Sequence, residues 1–208
     1  MSFIYKEPDR RSIKGRRLVY GVGINDANYQ TQPKIDGKQV KCPIYRLWNH
    51  IFERCHDPKA LAKRPKYIGC TVDKKWHSFM AFRKWILEQP EWEGLQIDKD
   101  LLVSGNKIYG PDTCLLVSHS VNCFMTEVKV TNSGLPLGVT DLKNGFYRVH
   151  VSDGTGKNWH SDMVDDIELA SFIYEEKKLQ CAELLSYIQV DKRVAGALIA
   201  RYSFRHRK

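Results

Sequence analysis

The chain has 208 residues, 42% hydrophobic and 27% charged, with a net charge of +9; this suits one large or two small globular domains and excludes a disordered polymer. No apolar run approaches the roughly 20 residues of a bilayer span, and the N-terminal MSFIYKEPDRRSIKGRR has no apolar segment behind it. The expectation is a cytosolic protein with neither membrane span nor secretory leader.

The charge is concentrated at the ends. Residues 1–41 carry nine Lys or Arg against four Asp or Glu, and residues 191–208 carry six against one. Basic arms around a near-neutral body suit a polyanion with phosphates spread along its length, although basic tails can also serve solubility alone. Six cysteines occur with no CxxC pair, so reduced, mostly buried thiols are expected. A structural zinc site would have to be assembled from Cys42, Cys55, Cys70 and either His50 or His56, without the short ligand pairs usual in such sites.

Residues 1–41 read as a basic arm and irregular lead-in. Pro43 then opens an amphipathic helix with Tyr45, Leu47, Trp48, Ile51, Phe52 and Cys55 at helical spacing, stopping before Asp57-Pro58. Tyr67 to Val72 reads as a short strand. A second helix begins near Ser78, buries Phe79, Phe82, Trp85 and Ile86, and ends before Pro90. The aromatics form one stripe per helix, the pattern of a core rather than a base-stacking surface.

Residues 94–125, GLQIDKDLLVSGNKIYGPDTCLLVSHSVNCFM, read as a strand (Leu95 to Leu102), a turn at Ser104 to Lys107, a second strand (Thr113 to Val117) and a helix capped by Ser118. His119 and Asn122, three apart, share one helical face. One-metal hydrolysis of a phosphodiester needs oxygen ligands for the ion and a base for the attacking water. Asp98 and Asn122 could converge on a magnesium or manganese ion, with Asp100 on the same strand face as Asp98 by the period of two. The bland alternative is a surface charge pair at Asp98, Lys99 and Asp100, with Asn106 turning the hairpin.

After a linker at 129–134, GVT, FYRVHV and GKNWHS read as three strands joined by Asn144-Gly145 and Asp153-Gly154. A long helix follows from about Val164 to Tyr187, its inward stripe Ile167, Ala170, Ile173, Tyr174 and Lys177; a last helix spans Lys192 to Tyr202. The whole is α+β, with a domain at 42–128 and another at 135–208. Strand alternation sends Phe146, Arg148 and His150 to one face; Arg148 and His150 are the candidate DNA contacts, joined by Lys143, Lys157 and Trp159 from neighbouring strands. Packing under the long helix is the alternative for Trp159.

YRLWNHIFERC, PKYIGCTVDKKWHSFMAFRKWI, LQIDKDLLVSGNKIYGPDTCLLV and VNCF, in that order, resemble the HNH endonucleases of bacteriophage genomes, homing-type enzymes included. The resemblance spans about residues 21–125. It implies a ββα-metal module cutting double-stranded DNA, with Asp98 as the strand ligand and Asn122 as the helical ligand of one divalent ion. Lys99 stands where that family carries its general-base histidine, and Thr113 where it carries an orienting Asn. Lys99 could serve as base only in a dry site, which a strand end does not promise; His119 is the substitute. GVTDLKNGFYRVHVSDGTGKNWHS with IELASFIYEEKK resembles the Apetala-type DNA-binding domain over about residues 132–185, though its usual Leu-Gly-x-Phe strand end is absent. That family places its three-stranded sheet in the major groove. The implied activity is metal-dependent DNA cleavage. The alternatives are a nuclease-derived phage factor that only binds DNA or inhibits a host protein, and an RNA-binding protein.

Overall fold

The computed structural model describes residues 3–126 and 134–203. The linker read at 129–134 falls outside the described residues except for Gly134, as does the basic tail with Arg205, Arg207 and Lys208. The chain is α+β, with helices α1 (Arg10–Lys14), α2 (Pro43–His56), α3 (Pro58–Lys63), α4 (Phe79–Leu87), α5 (His119–Met125), α6 (Ile167–Tyr187) and α7 (Lys192–Ser203). Its strands are β1 (Lys34–Ile35), β2 (Lys38–Gln39), β3 (Thr71–Val72), β4 (Gln96–Asp98), β5 (Ile108–Tyr109), β6 (Leu115–Val117), β7 (Val139–Asp141), β8 (Tyr147–Ser152) and β9 (Asn158–His160). No helix among the described residues is long and apolar enough to cross a membrane.

Two compact units divide the chain, Met1–Glu93 with Leu102–Cys114, and Gly94–Leu101 with Leu115–Lys208. This differs from a boundary at 129–134. The reason is apolar: Leu101, Leu115, Val117, Val121, Phe124 and Met125 share one core with Val139, Val149 and Val151 and with the inward faces of α6 and α7.

In the first unit, Pro43 occupies the opening turn of α2, where its missing N–H costs nothing, and the helix buries Ile44, Tyr45, Trp48, Ile51, Phe52 and Cys55. Asp57 ends it and caps α3 by accepting from Lys59 N at 2.8 Å. Ser78 caps α4 through Ala81 N at 3.0 Å. The indole N–H of fully buried Trp48 donates to the Trp76 carbonyl at 2.7 Å, so this large ring enters the core with its polar atom satisfied. The strand expected at Tyr67 to Val72 is shorter. Pro65–Tyr67 forms a 3-10 turn, and only Thr71–Val72 pairs, in parallel, with β5, which follows the turn at Asn106. The Asn106 side chain bonds both the N–H and the C=O of Ile108, and thereby sets the start of β5.

In the second unit, β4 runs antiparallel to β6, with Asp98 opposite Leu115, and α5 follows. The strand expected from Leu95 to Leu102 stops at Asp98. Its Oδ1 accepts the backbone N–H groups of Asp100 at 2.9 Å and Leu101 at 2.7 Å, which folds the chain out of the sheet. Strands β7, β8 and β9 form an antiparallel sheet in that order. Asp166 caps α6 through Leu169 N at 2.7 Å, and α6 buries Ala170, Tyr174, Lys178, Cys181, Ala182 and Leu185. The inward lysine is Lys178, one residue beyond the Lys177 expected.

Gly138 shows what the close packing of α6 on this sheet requires. Its φ is +70°, and a Cβ there would lie 2.3 Å from the Tyr174 ring and 2.7 Å from the His150 carbonyl. Gly138→Ala combines left-handed strain with overpacking, and is expected to lower the unfolding free energy by about 2 kcal/mol or more, read as a drop in the urea midpoint.

Candidate functional site

Ser118 caps α5 by accepting from Val121 N at 3.1 Å, which fixes the phase of the following turn. His119 and Asn122 share a face, as their spacing requires, and both bond one side chain that sequence reasoning missed. Asn122 Nδ2 donates to Gln96 Oε1 at 2.7 Å, and Gln96 Nε2 meets His119 Nδ1 at 3.2 Å. Gln96 and Asp98 are two apart on β4 and therefore face the same way. Asp98, Gln96, His119 and Asn122 thus line one side of the β4 and α5 pair.

Two oxygens on that side are held from behind. Asp98 uses Oδ1 for the turn, and Asn122 uses its amide nitrogen for Gln96. Asp98 Oδ2 and Asn122 Oδ1 carry no hydrogen bond among the described residues. Burial is the main influence raising the Asp98 carboxyl pKa, assisted by the charge of Asp100; the N–H groups of Leu101 and Asp100 and the charge of Arg201 oppose it. Arg201, on α7, has a buried Nε with no hydrogen-bond partner among the described residues. Its charge reaches the desolvated Asp98 carboxyl, whose pKa it acts to lower.

Asp100 does not join this set. Both its oxygens bond Lys99 Nζ, at 2.7 and 2.8 Å. Lys99 itself is only 5% exposed, contrary to the open strand end expected for it, because the turn at Asp98 carries it inward. His119 is not presented as a base either. With Nδ1 accepting from Gln96, its proton belongs on Nε2, 3.4 Å from Cys123 Sγ, and no ring lone pair is left open. Thr113 Oγ1 donates to the carbonyl of Ile108 at 2.8 Å, a turn role within the first unit.

Among the described residues, no three His, Cys, Asp or Glu side chains gather as a metal cluster, and that includes Cys42, Cys55 and Cys70 with His50 or His56. Five of the six cysteines are buried and Cys123 is exposed. Asp98 and Asn122 fit a hard divalent ion of the magnesium type, which takes one or two protein oxygens and completes its shell with water and substrate phosphate. Asp100 does not fit.

The second cluster lies on the three-stranded sheet. Val149 and Val151 turn inward, and Arg148 and His150 turn outward with Thr140 and His160, their cross-strand partners. His150 Nδ1 and His160 Nδ1 are 2.6 Å apart. Burial first, then the charges of His160 and Arg148, lower the pKa of His150. His160 was legible in principle, since alternation in Asn158-Trp159-His160 separates it from Trp159. Trp159 pairs with Val151 on the core side, and Lys177 Nζ sits 5.1 Å from its ring centroid, so it is removed from the outward face. Lys143 and Lys157 lie in the two turns. Lys143, at φ 65°, bonds Asp141 through both its backbone N–H at 2.7 Å and its ammonium at 3.1 Å; Lys157 is exposed.

No family model matches the chain, and neither a curated protein nor a solved structure matches it.

A raised carboxyl pKa is a stability statement with a definite sign. Ionised Asp98 is disfavoured in the folded state relative to the unfolded one, fully so above its folded pKa, and the penalty disappears as pH falls below the ordinary 3.8. Asp98→Asn keeps an oxygen for the turn and removes the charge. It is expected to raise the thermal midpoint at pH 7, with the gain shrinking toward zero as unfolding is followed down to about pH 3.5.

Proposed function

We propose that this chain is a DNA-binding protein of phage type that grips duplex DNA with the outward face of β7, β8 and β9 and cleaves a phosphodiester bond at the β4 and α5 site with a divalent metal ion. The observation that carries this reading is the pair of oriented oxygens, Asp98 Oδ2 and Asn122 Oδ1, each held by a bond at the other end of its own side chain. The order strand, strand, helix supports a ββα-metal assignment of the HNH kind.

A magnesium or manganese ion bound there would polarise the phosphoryl oxygen and lower the pKa of a bound water. The chain's own side chains do the rest. Asp98 and Asn122 hold the ion, Gln96 keeps the Asn122 oxygen turned outward, and Arg201 offers a guanidinium to charge on the phosphate. Base duty at His119 requires Gln96 to turn and release Nδ1.

A second reading is favoured by one observation. The buried Lys99 ion pair takes Asp100 out of the site, as expected of a nuclease-derived factor that binds DNA without cutting it. Incubating supercoiled DNA with the protein and magnesium or manganese separates the two. The endonuclease reading expects nicking that falls about 100-fold or more in Asp98→Ala and Asn122→Ala. Absence of nicking under every metal condition, with DNA binding that survives EDTA and Asp98→Ala, would establish the second reading instead.

On the sheet, Arg148→Ala is expected to cost about 1–3 kcal/mol of discrimination between sites, and Lys157→Ala to reduce the salt slope by about one unit, both read by fluorescence anisotropy. Burial and the charges of His160 and Arg148 hold the His150 pKa below the ordinary 6.5, so affinity is expected to rise as pH falls below that value and protons add charge beside Arg148. His150→Gln should flatten that rise; an unchanged profile would remove the histidine pair from the interface.

A further inference from the structure

The first unit contains an open cavity of about 340 Å³ that none of the preceding chemistry uses, and three arginines line it: Arg11, Arg16 and Arg17. Gln30, Gln32 and Tyr45 complete the part that matters, and no carboxylate is among the lining residues. Arg16 is fixed in place by two neutral acceptors, donating to the carbonyls of Asn25 at 3.0 Å and Tyr29 at 3.1 Å. Those carbonyls orient the guanidinium without cancelling its charge. Among the described residues, the ion pairs engage Lys75, Lys84, Lys99, Lys143 and Arg193, and none of the three cavity arginines. Asp9 feels the charge of Arg11 but caps α1 through Ser12 N at 2.6 Å.

Three guanidinium groups around one concavity repel each other unless an anion sits between them, and the planar donor fork matches the oxygens of phosphate bidentately, with phosphate carrying the larger charge to offset three cations. Gln32 adds a polar side chain to the lining, Gln30 is held by donating its amide nitrogen to the Glu7 carbonyl at 3.0 Å, and the volume lies within the range of small-molecule sites. We infer that this cavity binds the phosphate of a nucleotide, whether free in solution or part of a strand. The inference stands apart from the sheet face and from the β4 and α5 site, neither of which contributes a residue to it.

The test follows backbone amide shifts of the full chain on titration with inorganic phosphate, deoxyadenosine 5′-monophosphate, deoxyadenosine and a short DNA duplex. Phosphate and the mononucleotide are expected to shift the amides of residues 11–17 and 30–32, while the unphosphorylated nucleoside leaves them in place. Arg11→Gln with Arg17→Gln, both on exposed side chains, should weaken mononucleotide binding about fivefold or more, and Lys59→Gln, on the exposed face of α3, should leave it unchanged. If the duplex shifts the same amides and the mononucleotide competes with it, the phosphate comes from a strand; if the duplex leaves them still, it comes from a free nucleotide. Equal binding of nucleoside and nucleotide, or a double variant that binds like the parent, would overturn the inference. Arg16→Lys, which keeps the charge but loses the fork, distinguishes the two causes of loss: weakened binding with an unchanged amide spectrum is the expected result, and undiminished binding would count against phosphate recognition by the fork.

Discussion

A buried ammonium sets the geometry of the second unit. Lys178, 5% exposed, donates to the Phe124 carbonyl at 2.7 Å and lies 3.7 Å from the Phe124 ring centroid and 5.6 Å from that of Tyr202. Taking a charge out of water costs several kcal/mol unless acceptors and π-faces replace the lost hydration. Here the carbonyl comes from the last turn of α5, where a cation also complements the helix dipole, and the second ring comes from α7. Lys178 on α6 thus ties α5 to α7 through Phe124 and Tyr202, while the surrounding Val149, Val151, Ala182, Leu185 and Leu198 supply the burial that drives the packing.

That constraint reaches the candidate site through α5. This helix is only seven residues long, too short to be stable by itself, so the positions of His119 and Asn122 derive from its packing on α6 and α7. Arg201 arrives from α7 by the same route. Asn122 is therefore carried by a helix whose packing depends on residues more than 50 places further along the chain, and the three-stranded sheet shares one core with β6 and α5.

Much of this was legible in the sequence wherever a local rule decides. Pro43, Ser78 and Ser118 marked helix starts because each acts on backbone groups within four residues, and the alternation of Phe146 to His150 separated outward from inward side chains correctly. Where the outcome depends on distant partners, local rules failed. Lys99 looked solvated, yet the Asp98 turn buries it; Asp100 looked like a strand ligand, yet Lys99 takes both its oxygens. Gln96 was passed over because an amide in a strand carries no chemical signature until a helix brings His119 and Asn122 against it. Trp159 was open between the two faces, and its register opposite Val151, not its chemistry, decides the matter for the core side. The division of units escaped for a related reason: the apolar residues of β6 and α5 look equally suited to either core.

α5 and the three-stranded sheet share one apolar core, with Lys178 at its α5 end. Native-state amide hydrogen exchange tests it most directly. The core amides of α5 and those of Val149 and Val151 in β8 are expected to open with the same free energy, and Lys178→Met to shift both by the same amount. Loss of protection in α5 alone, with β8 unchanged, would contradict it.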